Sequence, residues 1–132
     1  MDKKNLAPIA LFTYNRIEHT RKTLDALAEN DLADQSQLFI FCDGPKSEAT
    51  EDEIKMIEQV RRLVEEYNWP GEKTVIKRTE NFGLARNIVD GVSEIVKEYG
   101  KIIVLEDDLV SGRGFLKFMN EALQMYAKEP RV

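Results

Sequence analysis

The chain is poor in the residues on which several familiar kinds of catalysis depend. Its 132 residues include one cysteine, Cys42, and one histidine, His19. A single cysteine cannot form an internal disulfide, and it is typical of a reducing compartment such as the cytoplasm. One histidine among polar residues supplies neither a serine-type triad nor a histidine zinc site. We therefore expect His19 to lie on the surface and Cys42 to pack as a small hydrophobic residue.

An excess of positive charge and long apolar runs are also absent. The formal net charge is -5 and the isoelectric point is near 5.0, whereas nucleic-acid-binding proteins usually carry a basic excess. The apolar run over residues 6–12 is too short to span a bilayer, and no small-residue cleavage site follows it. We predict a cytoplasmic protein without a transmembrane segment or a nucleic-acid partner. Peripheral contact with the inner membrane face stays open.

What the sequence does contain is a regular alternation of short apolar segments and amphipathic ones. The content of 42% hydrophobic and 33% charged residues is typical of one globular domain. Strands are predicted at residues 8–13, 38–42, 73–77 and 102–105, and helices at 17–29, 51–67, 84–99 and 115–126. Alternation with short connections predicts a mostly parallel sheet with right-handed crossovers. The expected fold class is α/β, a doubly wound three-layer α/β/α sandwich.

The last predicted strand ends in three carboxylates. Its four aliphatic residues indicate burial on both faces, so Glu106, Asp107 and Asp108 must emerge at the carboxyl edge of the sheet, where such folds bind ligands. Three adjacent anions repel one another unless a cation compensates, and a hard divalent metal with a phosphorylated ligand suits them. Because side chains alternate along an extended segment, we assign Asp108 to the metal and Asp107 to a ribose hydroxyl. Glu106 would order water or a neighbouring cation. The alternative is an acidic turn that caps the next segment.

Polar residues also follow the other three predicted strands. They are Thr13, Tyr14, Asn15 and Arg16 after the first, Asp43 after the second, and Asn81 after the third. In this architecture the four strand ends share one crevice. The segment 13–16 contains no glycine, so neither a dinucleotide-binding fingerprint nor a Walker A loop is present. Without such a loop, backbone amides are not expected to bind a phosphate, so another group must neutralise its charge. This again favours a metal.

Three positions, two at these strand ends and one on the following helix, have specific candidate roles and open alternatives. Asp43 is suited to accept the imide proton of a uracil or thymine ring, or else forms a simple Asp-Gly turn. Tyr14 is suited to stack on that base, or else lies at the rim as an amphipathic residue. Arg86 is expected to pair with Asp43 or a phosphate, and its alternative is a solvent-facing helical arginine.

The sequence resembles the GT-A glycosyltransferases, especially the family 2 type and the N-acetylglucosaminyltransferase I type. Four segments match in the family's order, and the last is a variant of the family's D-x-D signature: residues 12–16 (FTYNR), 41–44 (FCDG), 81–87 (NFGLARN) and 105–109 (LEDDL). The resemblance implies a metal-dependent transferase that moves a hexosyl or N-acetylhexosaminyl group from a nucleotide-diphospho-sugar to an acceptor hydroxyl. UDP-sugars are favoured as donors, and the acceptor would be a glycan, a lipid-linked molecule or a protein.

The same resemblance implies a distribution of roles among the residues. Asp108 would hold Mn²⁺ or Mg²⁺, Tyr14 and Asp43 would flank the base, Arg86 would support that pocket, and Asp107 would lie near the ribose or donor sugar. The residues expected to bind the donor are Thr13, Tyr14, Asn15, Arg16, Asp43, Asn81, Arg86, Glu106 and Asp107. The catalytic base is assigned to no residue, because in this family it follows the D-x-D strand in a second half.

We accordingly expect residues 1–132 to form a single nucleotide-sugar-binding domain, the truncated N-terminal half of a GT-A glycosyltransferase. Three other functions are weighed against this one. A sugar-nucleotide nucleotidyltransferase would need a glycine-rich basic loop after the first strand, and a receiver-type signalling domain would need paired acids there. A non-catalytic nucleotide-binding or interaction module is the third. The donor sugar, the stereochemical outcome and the oligomeric state are not predicted.

Overall fold

The computed structural model describes residues 6–127 and confirms the predicted order of elements. The strands are β1 (Ile9–Thr13), β2 (Leu38–Cys42), β3 (Lys73–Lys77) and β4 (Ile103–Glu106). The helices are α1 (Ile17–Ala28), α2 (Glu51–Glu66), α3 (Leu84–Tyr99) and α4 (Phe115–Ala127). A short 3-10 helix, Ala33–Gln35, lies between α1 and β2 and was not predicted. No helix within residues 6–127 is long and apolar enough to cross a membrane.

The four strands form one parallel sheet in the order β3-β2-β1-β4. In the register, Leu11 of β1 lies beside Ile40 of β2 and Leu105 of β4. The chain progresses outward from β1 to β3 and then returns to the other side of β1. The adjacent ends of β1 and β4 therefore form the topological switch point, where doubly wound sheets bind ligands. A receiver domain places β1 between β2 and β3, so this order excludes that alternative.

Helices cover both faces of the sheet, as the predicted three-layer sandwich requires. On one face Leu24 of α1, Val60 of α2 and Leu116 of α4 pack in the same buried cluster as Ile9 and Leu11. The other face is covered by α3, and its buried cluster joins Ala10, Phe12, Phe41 and Ile95. The rings of Phe12 and Phe41 stack with their centroids 4.8 Å apart. A Cβ at Gly91 would lie 3.0 Å from both rings, so glycine allows α3 to approach the sheet closely.

The prediction that the acidic strand is buried on both faces is wrong. Ile103 and Leu105 are buried, but Val104 is 40% exposed. Within the described residues β4 pairs only with β1, which puts it at the edge of the sheet. The buried cluster beneath α3 contains side chains of β1 and β2 and none of β4. An aliphatic run thus indicated a strand correctly without indicating its place in the sheet.

The predicted inward face of α4 also needs correction. The helical spacing of Phe118 and Met125 predicts that they lie in the core, but they are 68% and 69% exposed. Leu116 and Asn120 are buried instead. The Asn120 amide oxygen accepts a bond from the Ala7 amide at 2.7 Å, and its nitrogen donates to the Leu116 carbonyl at 2.8 Å. This buried polar anchor sets the rotation of the helix, and the apolar periodicity alone did not reveal it.

Two sequence signals predict helix ends, the capping box at residues 50–53 for the start of α2 and Gly100 for the end of α3, and both are confirmed. The Thr50 hydroxyl oxygen accepts a hydrogen bond from the Glu53 amide at 3.2 Å and caps the start of α2. Gly100 ends α3 in the left-handed conformation, with φ of 79°. The apolar spacing along residues 84–99 predicts Leu84 and Val96 on the buried face of α3, but both are exposed. Leu84 lies in the first turn of the helix, at the mouth of the cavity described next.

Candidate functional site

A cavity of about 290 Å³ opens at the carboxyl edge of the sheet, where the ends of β1, β2 and β4 meet the turn before α3. Eight of the predicted site residues line it, and Arg86 and Asp108 do not. The complete lining is Phe12, Thr13, Tyr14, Asn15, Arg16, Asp43, Lys46, Asn81, Gly83, Leu84, Asn87, Glu106 and Asp107. The expected convergence of polar strand ends on one crevice is therefore present in the fold.

Asp43 is buried and its carboxylate is surrounded by donors. Oδ1 accepts bonds from the amides of Gly44 and Phe82, both at 2.8 Å. Oδ2 accepts from the Gly83 amide at 3.1 Å and from the Asn81 side chain at 3.3 Å. A carboxylate can accept about four hydrogen bonds, and the four donors of the protein occupy the acceptor positions of Asp43. Asp43 thus ties the end of β2 to the turn at residues 81–83, and its predicted contact with a base stays a prediction.

The turn that Asp43 holds also needs close backbone contact. A Cβ at Gly44 would lie 2.5 Å from the backbone of Glu80, so only glycine allows the two loops to touch. The Asn81 side chain donates to the Gly44 carbonyl at 2.8 Å, and Gly83 enters α3 with φ of 78°. These contacts give the wall of the cavity at residues 81–83 a defined shape.

The acidic end of β4 has a counter-ion inside the chain. Nη2 of Arg16 lies 2.6 Å from Oδ1 of Asp107 and 3.9 Å from Oδ2 of Asp108. The Thr23 hydroxyl donates to the Asp107 carbonyl at 2.9 Å. The sequence indicated that three adjacent carboxylates need a cation and named a metal for that purpose. Part of the compensation comes from Arg16, which the sequence had placed only among the donor-binding residues.

The three acidic residues alternate as predicted, since Glu106 and Asp108 are exposed and Asp107 is buried. Glu106 and Asp107 line the cavity, whereas Asp108 lies outside it. Carboxylate oxygens are the ligands that Mg²⁺ and Mn²⁺ prefer, so the donor chemistry fits a hard divalent cation. Among residues 6–127, however, no group of three or more His, Cys, Asp or Glu side chains is arranged around a common point that would hold a metal.

Arg86 does not make the predicted contact with Asp43. Its Nε lies 3.6 Å from Oδ2 of Asp90 on the same helix, and its guanidinium carbon lies 4.0 Å above the Phe82 ring. The side chain is 61% exposed. An arginine in the first turn of α3 can pair with a carboxylate four residues later, because residues at this spacing are neighbours on the surface of a helix. The alternative of a largely solvent-facing helical arginine is the one observed.

Arg78, which was not singled out from the sequence, is partly buried and supports the turn that Arg86 was expected to support. Its guanidinium carbon lies 5.4 Å from the Phe41 ring centroid and 4.8 Å from that of Phe82. Nε donates to the Asn87 amide oxygen at 3.3 Å. The available signal was its position directly after β3, at the same edge as the other candidates. Arg78 supports the turn and the buried Asn87 that lines the cavity.

A second arginine that was not predicted, Arg61 of α2, braces the same region from the opposite face of the sheet. Its Nη2 donates to the carbonyls of Asp43 at 3.1 Å and Arg78 at 2.7 Å. Lys46, also not predicted, lines the cavity and adds a cation to its wall. The cavity therefore combines carboxylates with two cationic side chains, Arg16 and Lys46.

Two residues after β1 differ in what they offer to a ligand. The Thr13 hydroxyl donates to the Phe41 carbonyl at 3.2 Å, so it is used within the sheet. The Tyr14 hydroxyl is buried and has no hydrogen-bond partner within the described chain. Leaving such a group unpaired costs roughly 1–3 kcal/mol. Tyr14 is consequently the lining residue with most to gain from a bound polar ligand or water.

The single cysteine does not provide a nucleophile. Burial raises the pKa of the Cys42 thiol above its ordinary value, although a hydrogen bond from the Thr13 hydroxyl at 3.5 Å opposes the shift. The thiolate is the reactive form, so the burial of Cys42 keeps it inert. Its predicted packing role is confirmed, as is the exposed position of His19.

The parallel sheet, the flanking helices and the cavity at the switch point define a GT-A-type α/β fold. Comparison with family models matches residues 9–127 to "Glycosyl transferase family 2", and the chain belongs to that family. Among solved structures it is similar to the crystal structure of S. aureus TarS, with a TM-score of 0.62 and 14% sequence identity. The match covers 92% of this chain and 20% of the TarS chain. No curated protein sequence matches this chain.

Proposed function

We propose that this chain binds a nucleotide-diphospho-sugar in the cavity and is the donor-binding part of an enzyme that transfers the sugar to an acceptor hydroxyl. The supporting observation is the convergence of three strand ends and the turn at residues 81–83 around one polar cavity. Membership of glycosyl transferase family 2 agrees with this function. The chain spans a fifth of the TarS length, so a whole transferase can include elements beyond these residues.

In this proposal the two walls of the cavity contact different parts of the donor. Tyr14 stacks on the base or bonds to it through its unpaired hydroxyl. Asp43 acts chiefly by holding the turn that carries Asn81. Asp107 lies nearer the ribose or sugar, while Arg16 and Lys46 offer positive charge to the diphosphate.

We further propose that Mn²⁺ or Mg²⁺ binds at the acidic end of β4, with Asp108 as a ligand and Glu106 beside it. What supports this is the carboxylate chemistry of the segment. When bound, such a cation would offset the charge that builds on the departing nucleoside diphosphate. The residues of the chain keep the separate tasks of shaping the base pocket and orienting the phosphates.

The finer assignments belong to the same proposal. UDP is the expected nucleotide, and transfer of a hexosyl or N-acetylhexosaminyl group, as in the N-acetylglucosaminyltransferase I type, is the expected chemistry. We propose a single donor-binding unit that acts in the cytoplasm, for which one buried, unpaired cysteine is suitable. The acceptor would be a glycan, a lipid-linked molecule or a protein, and a carboxylate outside the present set would act as base.

Ligand-dependent thermal stability tests the proposal directly. We expect UDP with Mn²⁺ to stabilise the protein by roughly 2.7 kcal/mol at a hundred times the dissociation constant, and UDP alone to stabilise it less. TDP and GDP, measured in parallel, test the preference for uracil. Asp108→Asn should lose the metal-dependent part of the stabilisation.

The matched control is Asp34→Asn, which removes the same charge at an exposed position in the 3-10 helix. It should respond to UDP and Mn²⁺ as the unaltered protein does. Indifference to every nucleoside diphosphate, with and without metal, would contradict donor binding and favour the interaction-module alternative. Equal stabilisation by UDP in the presence and absence of Mn²⁺ would contradict the metal alone.

A further inference from the structure

Asn87 is the most deeply buried of the polar residues that line the cavity, with 1% of its surface exposed. It lies at the start of α3, where its backbone amide donates to the Gly83 carbonyl at 3.0 Å. The helix therefore fixes the position of its side chain. A buried polar group without a hydrogen bond costs free energy, so both ends of the Asn87 amide need a partner.

The guanidinium group of Arg78 determines which end of the Asn87 amide stays available. Nε of Arg78 donates to Oδ1 of Asn87 at 3.3 Å. A guanidinium group has donors and no acceptor, so it holds the amide oxygen and not the amide nitrogen. Nδ2 of Asn87 makes no hydrogen bond within residues 6–127. Because Asn87 lines the cavity, its side chain offers a ligand one oriented hydrogen-bond donor.

The carboxylate on the same wall of the cavity has no acceptor position to spare. Oδ1 and Oδ2 of Asp43 accept bonds from the amides of Gly44, Phe82 and Gly83 and from the side chain of Asn81. An N–H group of a ligand could bond to Asp43 only by displacing one of these donors, which would then be left unpaired. This wall therefore favours a ligand group that accepts a hydrogen bond over one that donates it.

We propose that Asn87, oriented by Arg78, selects the base of the nucleotide by donating a hydrogen bond from Nδ2 to a ring carbonyl of uracil. The inference rests on the proposed function for the presence of a nucleotide and names the residue that reads its base. Cytosine carries an amino group in place of one uracil carbonyl, so a fixed donor bonds to uracil and faces a second donor in cytosine. A site built around such a bond rejects the ligand that cannot make it. Asp43 shapes this wall and keeps its own four donors.

The test is the ratio of the dissociation constants for CDP and UDP, measured by isothermal titration calorimetry. Both ligands carry the same ribose and diphosphate, so the contributions of these groups, and of any cation that accompanies them, cancel in the ratio. The unaltered protein should bind UDP at least about tenfold more tightly than CDP. Asn87→Asp keeps the shape of the side chain and the acceptor for Arg78, but it replaces the donor with an acceptor. We expect the ratio to fall by about tenfold or more in this variant.

Asn68→Asp is the matched control, because it adds the same charge at an exposed position outside the cavity. It should change the ratio by less than about twofold, since a distant charge acts equally on two ligands of equal charge. If thermal unfolding shows that Asn87→Asp does not fold, Asn87→Ser replaces it. A hydroxyl both donates and accepts, so the ratio in that variant should approach one. An unchanged ratio in the folded Asn87 variant, relative to the Asn68 control, overturns the inference.

The result is separable from that of the proposed function. If the unaltered protein binds UDP and the Asn87 variant weakens UDP and CDP equally, nucleotide binding stands and base selection by Asn87 fails. If the unaltered protein binds UDP and CDP with equal affinity, the same conclusion follows. If it binds neither ligand, the proposed function itself fails and the inference falls with it. Retained binding of both ligands with a lost preference for UDP in Asn87→Asp supports both.

Discussion

Asp43 illustrates how one buried carboxylate organises two loops that are distant in sequence. It ends β2, and its two oxygens collect three backbone amides and one side-chain amide from its own loop and the turn before α3. Charge-assisted bonds of this kind are stronger than neutral ones, and the donors are costly to leave unpaired. The wall of the candidate site therefore depends on a residue that need not touch a ligand.

This role predicts a large effect of Asp43→Ala on stability. The substitution leaves the amides of Gly44, Phe82 and Gly83 without their acceptor, and we expect a loss of about 2–3 kcal/mol in the free energy of unfolding. Urea denaturation measures it. Asp34→Ala, at an exposed position, should change stability by less than about 0.5 kcal/mol. Equal stability of the two variants would show that the amides find other acceptors.

At the scale of the elements, the end of α2 depends on a side chain from the next strand. No basic residue lies in the last turn of α2, and its carbonyls would otherwise be unpaired there. Nζ of Lys73, at the start of β3, donates to the carbonyls of Val64 at 2.7 Å, Glu65 at 2.9 Å and Tyr67 at 2.6 Å. A cation at the negative end of the helix is favourable as well.

Lys73→Met is accordingly predicted to reduce the free energy of unfolding by about 1–2 kcal/mol, through loss of the three bonds and of the charge. The same substitution at Lys77, on the same strand, is the control. Lys77 pairs with Glu65 on the surface, and exposed pairs contribute less than about 1 kcal/mol. Urea denaturation of both variants decides the matter. A larger loss at Lys77 would contradict the capping role.

For the molecule as a whole, the dependence of stability on alkaline pH follows from two groups that hold protons, Tyr67 and Cys42. Burial raises the pKa of Tyr67 well above its ordinary value of 10.0, with a further contribution from the Asp25 carboxylate, which accepts the Tyr67 hydroxyl bond at 2.7 Å. Burial also raises the pKa of Cys42 above 9.0. In each case the folded protein holds the proton more tightly than the unfolded chain does.

Both groups therefore contribute stability that is fully present below pH 9.0. This contribution falls as the pH rises past 9.0 and 10.0, because the unfolded chain loses these protons first. Burial lowers the pKa of Lys73, so the folded protein releases this proton more readily than the unfolded chain does. The contribution of Lys73 to stability therefore rises with pH over the alkaline range. We expect Tyr67→Phe to show a shallower fall than the unaltered protein when urea denaturation is compared at neutral pH and at about pH 10.5. An identical pH profile in the two proteins would exclude Tyr67 as a source of the dependence.

The features that could be predicted from sequence are those that neighbouring residues determine. Apolar periodicity, the Thr50 cap and the Gly100 stop gave the order and the approximate bounds of the strands and helices. The polar residues after each strand could be placed at one edge, because parallel strands share a direction. The rotation of α4 and the exposure of Val104 could not, since they depend on which elements pack beside them.

By itself, then, the sequence determined the α/β class of this protein and most of the polar residues that meet at the carboxyl edge of its sheet. Only the tertiary structure decided that β4 lies beside β1, that Arg78 supports the turn before α3, and that Arg16 pairs with Asp107. Arg16 and Asp107 are 91 residues apart in the chain. Contacts at such separations depend on where whole elements pack, and no local pattern of residues records that outcome.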